Sequence, residues 1–230
     1  MAAVDTTDFP ASLVKPEQVS VMILAAGSGE RLGGRPKAFL RFEGQTLLER
    51  AVAVVSPFAI EIVVGVRSMD LARARRLVPK TVRVVAGGAT RQKTLSRLLQ
   101  CCTKPTVLLH EVARPFVTAE LFARLLVEVQ HHGAVVLYTE VPARDSLGFF
   151  ENQTLQMILP RRSVVALQIP HAYHRDILIH SDRLATQKGW NEEGTAALVK
   201  RAGHKIRLIP GSPDNLKVTY AGDLKPSRRN

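Results

Sequence analysis

Short apolar runs rich in β-branched residues alternate along this chain with segments whose apolar residues recur at helical spacing, and that alternation limits the possible folds more than any other feature. Strands are expected at residues 19–24, 61–66, 82–85, 106–110 and 134–139, several of them nearly continuous apolar runs of the kind buried on both faces of a parallel sheet. Helices are expected at 45–55, where Leu47, Leu48, Ala51, Val52 and Val55 recur on one face, and at 71–77, 91–101 and 119–131. Strand and helix in regular succession predict an α/β domain with a doubly wound, mostly parallel sheet. The alternation breaks at 141–160, which reads as a β-hairpin arm leaving the domain, with a polar turn at Glu151-Asn152-Gln153. Helices at 172–179 and 195–202 and a strand at 205–209 complete the reading.

Of the 230 residues, 46% are hydrophobic, enough for one domain with a full core over 19–230. Residues 1–18 are mixed and polar, with Asp5, Asp8 and Pro10, and read as a flexible tail rather than a signal peptide. No stretch is long and apolar enough to span a bilayer, and no membrane partner is expected. The two adjacent cysteines, Cys101 and Cys102, fit neither a disulfide framework nor a zinc site and suit a reduced, cytoplasmic setting. The net charge of +12 attracts anions. Its arginines are scattered, with no basic block interleaved with aromatics, so phosphorylated metabolites are expected as partners and a dedicated nucleic-acid module is not.

The first expected strand runs directly into Leu24-Ala25-Ala26-Gly27-Ser28-Gly29-Glu30-Arg31-Leu32-Gly33-Gly34-Arg35-Pro36-Lys37. A glycine-rich loop at the carboxyl end of a first strand is where open α/β sheets bind ligands, because glycine lets backbone N–H groups approach a phosphate closely. Arg31 can grip phosphate with two parallel bonds, and Lys37 adds a compact positive charge. Two common phosphate loops are excluded. A dinucleotide fingerprint needs glycine at position 32, which is Leu32, and an acid closing the second strand, where Val66-Arg67 stands. A P-loop needs Gly-Lys-Ser/Thr, which is absent.

The run Leu24-Ala25-Ala26-Gly27-Ser28-Gly29-x-Arg31 with Pro36-Lys37-Ala38-Phe39-Leu40 resembles the signature of sugar-nucleotide pyrophosphorylases and, more narrowly, of the methylerythritol phosphate cytidylyltransferase family, to which ribitol phosphate cytidylyltransferases are related. Three later segments resemble family motifs in the same order: Ala86-Gly87-Gly88-x-x-Arg91-Gln92-x-Thr94-Leu95, His110-Glu111-Val112-Ala113-Arg114-Pro115-Phe116, and Gly211-Ser212-Pro213-Asp214-Asn215-Leu216-Lys217-Val218-Thr219. The resemblance implies a nucleotide-diphospho-sugar transferase-like fold with a protruding arm, transfer of CMP from CTP to a polyol phosphate, in the first place methylerythritol phosphate for isoprenoid precursors, with release of pyrophosphate, Mg²⁺ as cofactor, and a homodimer formed through the arm. It implies catalytic roles for Arg31, Lys37 and Lys217, and nucleotide binding by Ala25, Ala26, Gly27, Ser28, Gly29, Gly87, Gly88 and Thr94. It further implies acceptor binding by Arg114, Ser146 and Arg161, the last reaching a partner's site, and metal binding by Glu111 and Asp214.

Several positions depart from the family pattern. Glu111 replaces an Asp, Gln168-Ile169-Pro170-His171 replaces Gln-Thr-Pro-Gln, Glu192-Glu193-Gly194-Thr195-Ala196 lacks the family's aspartates, and Ala89-Thr90 stands where acids follow the paired glycines. Two readings follow: an acceptor other than methylerythritol phosphate, such as ribitol phosphate for a surface polymer, or a chain whose activity is weak or lost.

Overall fold

The structure is a computed structural model, and it describes residues 14–141 and 145–224. In chain order the elements are β1 (Val19–Leu24), β2 (Arg41–Phe42), β3 (Gln45–Thr46), α1 (Leu47–Val55), β4 (Glu61–Val66), α2 (Leu71–Leu77), β5 (Arg83–Ala86), α3 (Arg91–Leu99) and β6 (Thr106–Glu111). They continue with α4 (Ala119–His132), β7 (Ala134–Glu140), β8 (Leu147–Glu151), β9 (Thr154–Leu159), β10 (Val165–His174), α5 (Arg175–Lys188), α6 (Thr195–Arg201) and β11 (Arg207–Pro210).

Seven strands form the main sheet in the order β11-β7-β10-β6-β1-β4-β5. All pairings are parallel except those of β10, which runs antiparallel to both β6 and β7. All six residues of β1 are buried, as a central strand covered on both faces requires. Its side chains divide by parity. Val19, Val21 and Ile23 join a core built with α1 and α4, whereas Met22 and Leu24 join one built with α3, α5 and α6. The one polar residue of β1, Ser20, is fully buried and bonds the Glu61 carboxylate, which also accepts from the Thr103 backbone N–H at 2.8 Å. Burial alone would raise the Glu61 carboxyl, but these bonds hold it below its ordinary value.

Two segments differ from the sequence expectation. The helix expected over 45–55 begins only at Leu47, because Gln45–Thr46 pairs with Arg41–Phe42 around a turn at Glu43 and Gly44, both at positive φ. Thr46 then caps the helix with a capping box: its hydroxyl accepts from the Glu49 N–H, and the Glu49 carboxylate accepts from the Thr46 N–H. The helix expected over 172–179 is strand as far as His174 and helix from Arg175. Ala172 packs on one face of the sheet and Tyr173 on the other, a period of two that the helical reading overlooks.

The expected arm is a two-stranded ribbon, β8 with β9, reversing at Asn152 and Gln153, both at positive φ. Residues 142–144 of the arm expected over 141–160 lie outside the described residues. Of the tail expected over 1–18, residues 1–13 lie outside them as well, while Val14 packs in the core and Pro16 accepts a backbone bond from Ile60. Among the described residues, no helix is long and apolar enough to cross a membrane.

Candidate active site

Strands β1, β4, β5, β6, β7 and β11 all end at one edge of the sheet, and the segments leaving β1, β5 and β6 meet there around a cleft of about 430 Å³. Ala26, Gly27 and Ser28 line it from the glycine loop, Gly88, Ala89, Thr90, Arg91 and Thr94 from the turn into α3, and Glu111 from the end of β6. Its position at the carboxyl ends of the strands, beside the first strand, is the ligand crevice of open α/β sheets.

The glycine loop owes its shape to specific backbone demands. Gly29 has φ +72°, and a Cβ there would lie 1.9 Å from the Arg35 carbonyl oxygen. Gly29 in turn accepts from the N–H groups of Leu32 and Gly34, closing the loop on itself. The loop contains no α-helix; a 3-10 turn at Glu30–Leu32 carries Arg31, and another at Lys37–Phe39 carries Lys37. Buried Ala38 and Phe39 anchor the second turn, with the Arg73 guanidinium 4.1 Å from the Phe39 ring centroid.

Across the cleft, Thr90 caps α3 by accepting from the Lys93 N–H. Thr94 accepts from the Gly88 N–H at 3.0 Å and fixes the paired-glycine turn. A Cβ at Gly87 would lie 2.7 Å from the Ala26 Cβ, and one at Gly88 would lie 2.4 Å from the Lys93 Cβ, so both walls depend on glycine here.

Positive charge gathers around one carboxylate. Glu111 Oε1 lies 3.0 Å from Lys217 Nζ and 3.7 Å from Arg91 Nη1. Burial alone would raise the Glu111 carboxyl, but Arg91, Lys217 and Arg114 outweigh it and hold the group ionised, below its ordinary value. Lys37 Nζ donates to the Val218 carbonyl at 2.8 Å. Burial lowers the Lys37 ammonium from its ordinary value, and Lys217 and Arg31 lower it further against the opposing pull of Glu111 and Asp223. Arg31 is exposed, 5.8 Å from the Tyr220 ring centroid. Arg91 and Glu111 line the cleft together with Glu30, Lys217 pairs with Glu111, and Lys37 feels the charges of Lys217, Glu111 and Arg31, a cluster whose surplus of cations suits a polyanion.

The structure brings together most of the residues singled out from the sequence and separates others. Ala25 is buried beneath the loop, its N–H bonded to the Gly65 carbonyl. Arg114 is half-buried, and its Nη1 donates to the Asn215 carbonyl at 2.6 Å, so its visible work is to hold the 211–219 segment. Asp214 lies exposed on that segment, outside the cleft lining among the described residues, with its N–H bonded to Ser212 Oγ. Ser146 and Arg161 sit at the base of the arm. Arg161 donates to the Asp145 carbonyl at 3.0 Å and lines a separate hollow of about 490 Å³ with Tyr138, Glu140 and Arg162. Sequence reasoning names Arg91 only as part of the run after the paired glycines and assigns it no site role of its own, although it faces Glu111; the Val218 carbonyl is a backbone group that no side-chain pattern could flag.

This fold, with a glycine loop and a cluster of cations at the carboxyl edge, defines a nucleotidyltransferase of the nucleotide-diphospho-sugar transferase type. A family model described as 2-C-methyl-D-erythritol 4-phosphate cytidylyltransferase matches residues 19–228. The chain belongs to that family. A relative of that name from Deinococcus radiodurans is 38% identical over 208 residues, covering 90% of this chain and 87% of its own length. One from Thermus thermophilus is 37% identical over 207 residues, covering 90% of this chain and 94% of its own. A crystal structure of the 2-C-methyl-D-erythritol 4-phosphate cytidylyltransferase from Thermus thermophilus superposes with a TM-score of 0.75 at 35% identity, over 90% of this chain and 95% of that one. The 4-diphosphocytidyl-2C-methyl-D-erythritol synthase of Anaerococcus prevotii, at 21% identity and a TM-score of 0.78 over 91% of this chain and 93% of its own, shares the fold.

Proposed function

We propose that this chain transfers the CMP group of CTP to 2-C-methyl-D-erythritol 4-phosphate, releasing pyrophosphate, in isoprenoid precursor biosynthesis. The observation that carries the reading is the cluster of cations beside the cleft between the glycine loop and Gly88: Arg91 in its lining, Lys217 paired with Glu111, and Lys37 and Arg31 close enough to share their charge. The named relatives favour methylerythritol phosphate over ribitol phosphate as acceptor.

In the reaction an acceptor phosphate oxygen forms a bond to the α-phosphorus of CTP as the bond to the β-phosphate oxygen breaks, and the electron pair leaves with pyrophosphate. Such a step needs in-line placement and neutralisation of charge rather than covalent help. The backbone around Gly27 and Ser28 seats the triphosphate, and Gly87, Gly88 and Thr94 shape the wall that takes the cytidine. Arg31 and Lys37 stabilise the charge that develops on the reacting and leaving phosphates, and Lys217, next to the Val218 carbonyl that Lys37 bonds, adds to it.

Mg²⁺ fits the donor chemistry here, because it takes one or two carboxylates and completes its shell with substrate phosphates and water. Among the described residues no group of three or more His, Cys, Asp or Glu side chains could hold a metal alone, so the nucleotide itself would supply ligands. Glu111 would hold the ion, with Asp214 as the second candidate. When bound, it would neutralise charge on the phosphates.

The arm supports a homodimer. Phe149, Phe150, Leu155, Met157 and Ile158 are each more than half exposed on a ribbon that has no core of its own. A second copy would cover this surface by the same patch. A cytoplasmic setting suits the two free thiols.

Pyrophosphate release from purified protein with CTP, Mg²⁺ and a panel of polyol phosphates tests the reading. Turnover with methylerythritol phosphate and CTP, exceeding that with ATP, is expected. Turnover only with ribitol phosphate, or none with any acceptor, would overturn it.

A further inference from the structure

Gln168 stands on β10 just where the strand's register with β7 shifts, between Gln168 and His171, and it is buried. A buried carboxamide has to place both ends in hydrogen bonds. Gln168 places both on a single residue of the neighbouring segment. Its Nε2 donates to the Ser212 carbonyl at 2.9 Å, and its Oε1 accepts from the Ser212 N–H at 3.3 Å. The side chain therefore pairs with the Ser212 backbone as a neighbouring strand would, beyond Pro210, where β11 ends. Gly211 lets it approach this closely, since a Cβ there would lie 2.4 Å from Gln168 Oε1.

The same short stretch of β10 makes a second hold. Asn215 Nδ2 donates to the Ile169 carbonyl at 2.8 Å. Downstream of these two points the segment delivers two groups to the site. Lys217 Nζ reaches Glu111 at 3.0 Å, and the Val218 carbonyl receives Lys37 Nζ at 2.8 Å. Lys217 is itself exposed, and its ion pair with the largely buried Glu111 holds only the tip of a long side chain. The backbone under it is fixed by the Gln168 pair, by Asn215 to Ile169, by Arg114 to the Asn215 carbonyl, and by the Val218 N–H to the Ala113 carbonyl.

We propose that Gln168 is a positioning residue for the transfer reaction, its carboxamide clamping the 211–219 segment so that Lys217 and the Val218 carbonyl are held against Glu111 and Lys37. The inference rests on the reaction proposed above. It makes the segment a part built on the rigid sheet rather than a free surface loop, with Gln168 holding its first residues.

Gln168→Glu tests it at nearly constant shape, since a carboxylate still accepts from Ser212 N–H but repels the Ser212 carbonyl. Two readouts are needed. Hydrogen exchange measured by mass spectrometry on the full chain without substrate should show faster exchange across 211–219, with β1 and β6 unchanged. Steady-state pyrophosphate release from CTP and methylerythritol phosphate should show kcat lower by about ten-fold or more, with KM for CTP changed by less than about three-fold, as a displaced catalytic charge predicts. Gln168→Ala should act in the same direction on both. Unchanged exchange at 211–219, or exchange raised equally throughout the sheet, would overturn the clamp. So would faster exchange at 211–219 with kcat within about two-fold of the parent. If the unaltered protein shows no transfer with any acceptor, the reaction proposed above fails, and exchange at 211–219 alone decides whether Gln168 holds the segment.

Discussion

Lys37 and Val218 lie far apart in the chain and are joined by a 2.8 Å hydrogen bond from the lysine ammonium to the valine carbonyl. The bond ties the glycine loop after β1 to the segment after β11, at opposite ends of the sequence. An ammonium has three donors, so the bond aims Lys37 and leaves others for phosphate. Lys217, the residue before Val218, lowers the Lys37 ammonium, while Glu111 opposes it.

Replacing Lys217 by Ala is therefore expected to act in two ways. Loss of charge at the reacting phosphates lowers kcat by about 10²-fold. Loss of a neighbouring cation raises the Lys37 ammonium back towards its ordinary value, so the alkaline limb of the kcat/KM profile moves to higher pH. Rate profiles of the parent and Lys217→Ala across the alkaline range check both, and a limb that stays in place would show that Lys37 does not set it.

The loop offers a sharper steric test. Gly29→Ala would need φ +72° and would set its Cβ 1.9 Å from the Arg35 carbonyl oxygen, so the loop must open. Gly33→Ala meets nothing within 4 Å and bears only its positive φ of +66°, a cost of about 1–2 kcal/mol. Calorimetry should find CTP affinity reduced about ten-fold or more by Gly29→Ala and much less by Gly33→Ala, with the fold intact in both.

His110 and His171 are buried, and burial pushes each down to about 3 from an ordinary value of 6.5. Their folded values are depressed, so the unfolded chain takes up their protons first as pH falls. Their effect on stability is absent above pH 6.5 and grows downward through the window to about 3. Between pH 7 and pH 5 each is expected to remove about 2 kcal/mol. Urea unfolding of the parent and of His171→Gln at the two pH values checks this; the variant should lose less on acidification, and equal losses would refute the assignment.

The parallel frame was legible because β1, β4 and β6 are buried along nearly their whole length and so read as mostly apolar runs. The glycine loop was legible because Gly29, Gly33 and Gly34 take positive φ there, and Lys37 follows at once. Strand β10 was not, because its ten residues include buried Gln168 and His171, and the place of Gln168 is set by a partner distant in sequence. The hairpin before α1 was missed because Glu43 supplies a positive φ that glycine usually signals. Asn215 falls in a family-like run, but nothing local shows that it is fully buried and bonds the distant Ile169 carbonyl.

The arm predicts shared sites. Arg161 stands at its base, away from the cleft lining in its own chain among the described residues. Arg161→Ala and Lys37→Ala homodimers should each be nearly inactive, and mixing them should restore up to about a quarter of the parent activity if half the dimers carry one intact site. Sedimentation at micromolar concentration should show a dimer. A monomer, or no recovery on mixing, would contradict the proposal.

If the cleft beside the glycine loop transfers CMP under the charge of Lys37 and Arg31, the fate of the α-phosphorus shows it most directly. CTP labelled at that atom is incubated with methylerythritol phosphate and Mg²⁺. The label is expected to move into a cytidine diphosphate ester of the acceptor while pyrophosphate appears in equal amount, and Lys37→Ala and Arg31→Ala should each slow this by about 10²-fold or more without unfolding the chain. Label that stays in CTP with the parent protein, or transfer at near-parent rates in both variants, would contradict it.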